Sequence, residues 1–309
     1  MSISNESAIN AIGERQNADG MINLLRARKR IYGQVKLVQG AYFTFIFFLP
    51  IISLVVAFQL QAAKPWISLL ALVVGAIDSM FIDSWRKRRI KTAARTQEQF
   101  DCHVLDLPWN QFTAGKRVSA EEVSKFANPK LPEPDELRLK DWYPANSRNL
   151  PPHLARLVCQ RTNLWYDSQL RDTYRIALCG LAVVYFLSLL AFASNFTVIQ
   201  FILVALVPFG PFFTWIVREY HRQNDTIKVV ERLLSEIDNS LEKFTEAQDV
   251  ADAQGRSREL QDAIFSHRAN SPLVSDLVYR FKRPALEAQM QAGAEAFVDR
   301  VRRSMGAAA

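Results

Sequence analysis

The sequence predicts an all-α membrane protein with two transmembrane helical hairpins, a cytoplasmic insert between them and a helical cytoplasmic C-terminal region. Three observations predict this fold class: four apolar runs contain no Lys or Arg, the basic residues collect at one end of each run, and the connections within each pair of runs are short. The runs are residues 41–60, 65–82, 176–193 and 196–217. Because a helix rises about 1.5 Å per residue and the hydrocarbon core is roughly 30 Å thick, each run predicts one spanning helix.

The distribution of charge predicts the orientation of these spans. The chain carries a formal net charge of +7, from 38 Lys and Arg against 31 Asp and Glu. Lys64 is the basic residue in the loop of the first hairpin, and residues 194–195 of the second loop carry no charge. Basic residues collect on the cytoplasmic side of membrane proteins. We therefore expect both termini and residues 83–175 to lie in the cytoplasm.

The N-terminal segment, residues 1–39, begins polar and becomes basic and amphipathic. This pattern predicts a helix near the membrane surface that leads into the first hairpin, residues 40–83. The first apolar run starts after about 40 residues and exceeds the roughly 7 to 15 apolar residues of a cleaved signal peptide. We expect the chain to stay anchored.

The cytoplasmic insert, residues 84–175, contains an irregular middle. Six prolines fall in this part of the chain: Pro129, Pro132, Pro134, Pro144, Pro151 and Pro152. Proline interrupts helices and central strands, so we predict mixed helix and loop here. Helical periodicity resumes at His153 and predicts one helix that continues into the third span.

The second hairpin, residues 176–217, is followed by a predicted helical region, residues 218–309. A seam of apolar residues at steps of three and four consists of Ile227, Val230, Leu234, Ile237, Leu241 and Phe244. Such a seam either joins protomers in a coiled coil or docks on the insert of the same chain. Further helices are predicted after Gly255, between a turn at residues 270–272 and Phe281, and from Pro284 onward.

Two features within the spans are candidates for a pore or gate. Asp78 lies in the second span, where a carboxylate is costly unless it faces water or protein. It either lines a pore or proton path, or pairs with a neighbouring helix. In the fourth span, Pro208, Gly210 and Pro211 predict a kink or short break, because proline removes a helical hydrogen bond. The kink is either a gate hinge or a bend of the kind that membrane helices tolerate.

The residues that carry chemistry do not form a catalytic or metal-binding pattern. Cys102, Cys159 and Cys179 are odd in number and widely spaced, and the four histidines show no ligand spacing. The chain contains neither a Walker loop nor a glycine-rich dinucleotide turn. We predict that the protein is not an enzyme and has no catalytic residues, no metal site and no cofactor.

A cytoplasmic surface rich in aromatic and basic residues is the candidate ligand site. Guanidinium groups bind phosphates and flat rings stack on bases, so this mixture suits a nucleotide. The alternative is that the rings anchor the protein at the bilayer and the arginines set its topology. The predicted ligand-binding residues are Arg161, Asn163, Trp165, Tyr166, Arg171, His267, Arg268, Tyr279 and Arg283.

Several segments carry a resemblance to a known family. They are residues 15–17, 25–32, 100–110 (Phe-Asp-Cys-His-Val-Leu-Asp-Leu-Pro-Trp-Asn), 142–144 (Trp-Tyr-Pro), 159–171 (Cys-Gln-Arg-Thr-Asn-Leu-Trp-Tyr-Asp-Ser-Gln-Leu-Arg) and 264–268 (Ile-Phe-Ser-His-Arg) through 283. In number and order these segments resemble the SMODS-associating four-transmembrane effectors over nearly the whole chain. None of them is a catalytic signature.

The resemblance implies a pore-forming effector of bacterial anti-phage immunity in the inner membrane. Its partner would be a nucleotidyltransferase that makes a cyclic oligonucleotide messenger, and binding of the messenger would end membrane integrity. One four-helix unit packs its own core and leaves no lumen, so a pore requires a homo-oligomer. The alternative function is a non-conducting, membrane-anchored scaffold that recruits a cytoplasmic partner.

Overall fold

The chain folds into helices. The computed structural model describes residues 10–59, 64–192, 194, 196–247 and 250–307, and every regular element in these ranges is helical. The α-helices are α1 (Ile12–Arg15), α2 (Asp19–Gln59), α3 (Lys64–Ile77), α4 (Asp83–Val104), α5 (Gln111–Ala114), α6 (Ala120–Ala127), α7 (Glu133–Leu137), α8 (Pro152–Phe192), α9 (Val198–Gln200), α10 (Val207–Ala247), α11 (Val250–Asn270) and α12 (Asp276–Ala307). The predicted all-α class is confirmed.

The membrane spans lie where the apolar runs predict them. Three described helical stretches are long and apolar enough to cross a bilayer, namely Asp19–Ser53, Pro65–Val104 and Pro152–Ala191. A fourth span forms if the bent pair Val198–Val204 and Val207–Phe244 crosses as one unit. The tips of both hairpins fall largely outside the described residues.

Large apolar side chains face outward along the spans. Leu72 on α3, Val184 on α8 and Leu203 before α10 are all exposed. Soluble proteins rarely leave contiguous apolar surface of this kind uncovered, whereas lipid tails cover it in a membrane. The protein is therefore a multi-pass membrane protein.

The spans meet in a cluster of aromatic rings. The Tyr185 ring on α8 lies 4.7 Å from that of Phe47 on α2 and 4.6 Å from that of Phe212 on α10, measured between ring centroids. Phe209 on α10 lies 5.4 Å from the same tyrosine. These contacts join three different spans in the apolar half, which we define as residues 41–82 and 176–217.

The polar half, which we define as the remaining described residues, has its own core. Leu25 of α2, Phe100 of α4, Leu157 of α8, Ile237 of α10 and Ile264 of α11 are buried together in it. Three helices, α2, α8 and α10, run through both halves and connect them without a break. The predicted continuity from His153 into the third span is confirmed by α8.

Three sequence predictions need correction. The N-terminal helix leads into the first span as predicted, but it packs on protein and not on a membrane surface, because α2 buries Leu25 and Ile31 against the polar half. Gly255 lies inside α11 and Pro284 lies inside α12, so neither marks the predicted start of a helix. Tertiary packing overrides these local helix breakers. The turn at residues 270–272 and the irregular middle of the insert are both present.

Candidate functional site

A cavity of about 650 Å³ opens between α8, α10 and α12. Arg161 and Trp165 of α8, both predicted ligand-binding residues, line this cavity together with Asp238 of α10 and with Phe297 and Arg300 of α12. The two predicted residues are four positions apart, so a helix places them on one face. The volume lies within the roughly 300 to 1,000 Å³ typical of small-molecule sites.

Arg161 is held at the wall of the cavity by one carboxylate and one ring. Its Nε donates to Asp238 Oδ1 at 2.6 Å, and its Nη2 donates to Oδ2 at 3.5 Å. Its guanidinium carbon lies 5.4 Å from the centre of the Phe297 ring, and that of Arg300 lies 5.7 Å from the same ring. Two cations therefore flank one aromatic ring.

The charged side chains of the lining are two cations, Arg161 and Arg300, and two carboxylates, Asp238 and Glu242. Guanidinium groups donate to phosphate oxygens in pairs, and Trp165 places an aromatic ring in the same lining. Asp238 accepts both of the hydrogen bonds that join the Arg161 guanidinium to α10.

Seven of the nine predicted ligand-binding residues lie outside the lining of this cavity, and four of them are described first. Asn163 is half-buried on α8. Tyr166 and Tyr279 pack against the apolar core near the start of the spans. Arg283 donates from Nε to Glu287 Oε1 at 2.6 Å, and its guanidinium lies 5.8 Å from the Tyr279 ring. The sequence therefore predicts a single ligand site from residues that lie in different parts of the fold.

Arg171 and His267 form a buried brace around Asp167. Arg171 donates from Nε to Asp167 Oδ2 at 2.7 Å, and His267 Nε2 lies 2.9 Å from the same oxygen. Arg171 Nη1 also donates to Gln223 Oε1 at 2.9 Å and to the Pro272 carbonyl at 2.8 Å. Burial alone would raise the pKa of Asp167, but Arg171 and His267 outweigh it and hold the pKa below its usual value. These groups fix the end of α11 against α8 and α10.

Arg268 belongs to a second buried network, centred on Asp101 of α4. Asp101 Oδ1 accepts from Tyr143 Oη and from Gln97 Nε2, both at 2.7 Å, and Asp101 Oδ2 accepts from Gln261 Nε2 at 3.1 Å and from Arg268. Burial would lower the pKa of Arg268, but the Asp101 carboxylate raises it above its usual value.

Neighbouring Glu98 extends this network. It accepts from Arg258 Nη2 and from Gln261 Nε2, both at 2.7 Å. The predicted ligand-binding residues were chosen as basic or aromatic side chains. A prediction of this kind does not find the carboxylates Glu98 and Asp101. The signal that points to Asp101 is its place in the segment 100–110, which carries the family resemblance.

The two buried cysteine thiols show no sign of activation. Cys102 and Cys159 are buried, and Cys179 is exposed on α8. Burial raises the pKa of the Cys159 thiol to about 12, so it stays protonated at neutral pH. Within the described ranges, no group of three or more His, Cys, Asp and Glu side chains is placed to bind a metal ion.

Asp78 pairs with a neighbouring helix, the second of the two alternatives that the sequence left open. It is buried in a π-helical turn, Asp78–Ile82, between α3 and α4, and it accepts from Arg218 Nη2 of α10. A few residues further, Asp83 accepts from Lys87 at 2.7 Å and lies 3.6 Å from Arg222 Nη1. These ion pairs tie the second span to the end of the fourth.

The fourth span is bent where its prolines predict a kink. The axis turns by 58° between Val198–Val204 and the start of α10 at Val207. Pro208 cannot donate to the carbonyl four residues before it, and a second π-helical turn, Phe201–Leu206, occupies that stretch. Pro211 lies within α10. Gly210 lies between the two prolines. The space beside its Cα is open, with no other atom within 4 Å of the place that a Cβ would occupy.

Comparison with known proteins connects these features to one family. The family model of the SMODS-associating 4TM effector domain matches residues 10–297. The chain belongs to the SMODS-associating 4TM effector family. The match confirms the resemblance carried by the segments named above and spans both halves of the molecule.

One curated relative of this 4TM effector is described as a probable CBASS effector molecule from Bacillus cereus (strain VD146). It is 25% identical over 280 residues, which are 86% of this chain and 91% of that protein. No solved structure matches the chain.

In this 4TM effector, the apolar seam of α10 packs inside the chain. Ile227, Val230, Ile237, Leu241 and Phe244 are buried, and Leu234 packs against the core of the polar half. The seam therefore docks within its own chain, which is the second of the two alternatives that the sequence leaves open. Its side chains are already covered, so assembly through them would require α10 to leave this core.

Proposed function

We propose that the protein is a ligand-controlled membrane effector of bacterial anti-phage defence, which permeabilises the inner membrane when a cyclic oligonucleotide binds its polar half. Membership of the family and the printed name of the Bacillus relative support the defence role. The excess of basic residues outside the short loops supports an orientation with both termini in the cytoplasm, where the messenger is made. In this proposal the protein acts without a catalytic step.

The cavity between α8, α10 and α12 is the observation that carries the ligand step. Arg161 and Arg300, which flank the Phe297 ring, would bind phosphates of the messenger, and Trp165 would stack on one of its bases. Asp238 would be released from Arg161, which breaks a contact between α8 and α10. These are the helices that continue as the third and fourth spans.

Transmission to the membrane follows from that continuity. A ligand shifts a conformational equilibrium only as far as its affinities for the two states differ. Separation of α8 from α10 at Asp238 would favour a state in which the Asp78–Arg218 pair and the bend beside Pro208 rearrange. Because one four-helix unit has no lumen, we propose that the conducting state is a homo-oligomer built around these spans.

Leakage from liposomes tests this function. We expect the purified protein, reconstituted into liposomes loaded with a self-quenched dye, to release dye when cyclic oligonucleotides are added outside or enclosed inside. Linear oligonucleotides of the same bases are the control and should release none. Absence of release with a panel of cyclic di- and trinucleotides that demonstrably bind the protein would contradict permeabilisation and would favour the non-conducting scaffold.

A further inference from the structure

The beginning of α12 carries an exposed apolar face. Leu277 is 79% exposed and Phe281 is 83% exposed, and their spacing of four residues places them side by side on one face of the helix. We propose that this face binds the surface of an anionic lipid bilayer, as an interfacial anchor in addition to the spans.

Residues just before α12 and within its first turn fix the segment at the membrane end of the polar half. Val274, Val278 and Tyr279 pack against the apolar cluster that contains Leu170, Tyr174 and Leu178 of α8. Leu178 already belongs to the third span. The start of α12 is therefore seated against the base of the spans.

Contacts to α2 set the height of the segment relative to the bilayer. Lys36 Nζ pairs with Asp276 and lies 5.7 Å from the centre of the Tyr279 ring. Lys36 precedes the first span, residues 41–60, by five positions, or about 7.5 Å along a helix. The headgroup layer adds roughly 5 to 7 Å on each side of the hydrocarbon core, so this estimate puts the start of α12 next to the outer edge of that layer.

The charges on this face favour lipid headgroups as the partner. Arg280 is exposed on the same side of α12 as Leu277 and Phe281, and Lys282 follows. Apolar side chains flanked by Lys and Arg are typical of helices that lie in the interface of anionic membranes. A symmetric contact with a second copy would bring Arg280 against its own counterpart, which disfavours that occupant.

The anchor has a structural connection to the cavity. α12 continues from Phe281 to Gly293 and Phe297, which line the cavity about 18 and 24 Å further along the helix. One helix therefore reaches from the bilayer surface to the ligand site.

Site-specific fluorescence in lipid nanodiscs tests the anchor. Both faces of a nanodisc are open to solvent, so an aqueous quencher has access to the polar half in every molecule. In a Cys179→Ala background, Cys102 and Cys159 are buried, so a single introduced cysteine at Phe281→Cys takes the fluorophore. Phe112→Cys is the matched control, because Phe112 is 99% exposed in the insert. The nanodiscs contain phosphatidylethanolamine and phosphatidylglycerol.

We expect nitroxide-labelled lipid to quench the fluorophore at position 281 at least threefold more than at position 112, and aqueous iodide to show the reverse order. A Leu277→Cys label should behave like the one at position 281. Equal quenching by iodide at positions 281 and 112 would overturn the proposal. Protection from both quenchers would also overturn it, because protein would then cover the face.

Discussion

We expect Arg161→Gln to abolish the dye release triggered by cyclic oligonucleotides and to weaken their binding by about 10- to 100-fold. A hydrogen bond to a charged group contributes about 1.5 to 3 kcal/mol, and each 1.4 kcal/mol is tenfold in Kd. The substitution also frees Asp238, whose negative charge would then face the phosphates. Isothermal titration in detergent measures the affinity, and liposome leakage measures the release.

Arg175→Gln is the matched control for this prediction. The Arg175 side chain is 28% exposed, close to the 27% of Arg161, and it also bonds to an aspartate and to a residue of α10. It does not line the cavity. An Arg161→Gln variant that binds the messenger as tightly as Arg175→Gln would show that the cavity is not the ligand site.

We expect Asp101→Asn to cause a large loss of stability. Asp101 is fully buried and accepts hydrogen bonds from Tyr143, Gln97, Gln261 and Arg268, so the substitution leaves the Arg268 cation without its carboxylate. Breaking one side of a buried ion pair costs about 3 to 5 kcal/mol. The expected fall in Tm, measured by thermal unfolding in detergent, is roughly 5 to 15 °C.

An exposed aspartate provides the comparison. Asp225 is solvent-accessible and lies 4.0 Å from Lys228. Surface pairs of this kind contribute about 0 to 1 kcal/mol, so Asp225→Asn should leave Tm nearly unchanged. If the two Asp→Asn variants unfold at the same temperature, the network around Asp101 does not stabilise the polar half.

The fold was predictable from the sequence because its strongest signals are local. An apolar run without Lys or Arg needs no knowledge of its neighbours, and the helix from His153 into the third span follows from periodicity along one segment. The sequence of the N-terminal segment predicts a helix near the membrane surface because its apolar face suits a bilayer and a protein core equally. Only the packing of Leu25 and Ile31 distinguishes the two.

The candidate site was predictable where its residues are neighbours on one helix. Arg161 and Trp165 share a face by their spacing, and both line the cavity. Arg171 and Arg268 are predicted ligand-binding residues because their cations suit a phosphate. In the structure, the carboxylates of Asp167 and Asp101 bind these two side chains instead. The Arg268 partner is 167 residues away in the chain. Separations of this kind leave no periodicity from which the pairing can be inferred.

Single-cysteine accessibility tests most directly whether the polar half, with its cavity, faces the cytoplasm. In a Cys179→Ala background, Ser119→Cys probes the insert, Ser235→Cys probes α10 beyond the spans, and Ser194→Cys probes the second hairpin loop. In intact spheroplasts, a membrane-impermeant maleimide should label Ser194→Cys alone, and the other two should react only after permeabilisation. Labelling of Ser119→Cys or Ser235→Cys in intact spheroplasts would contradict the account.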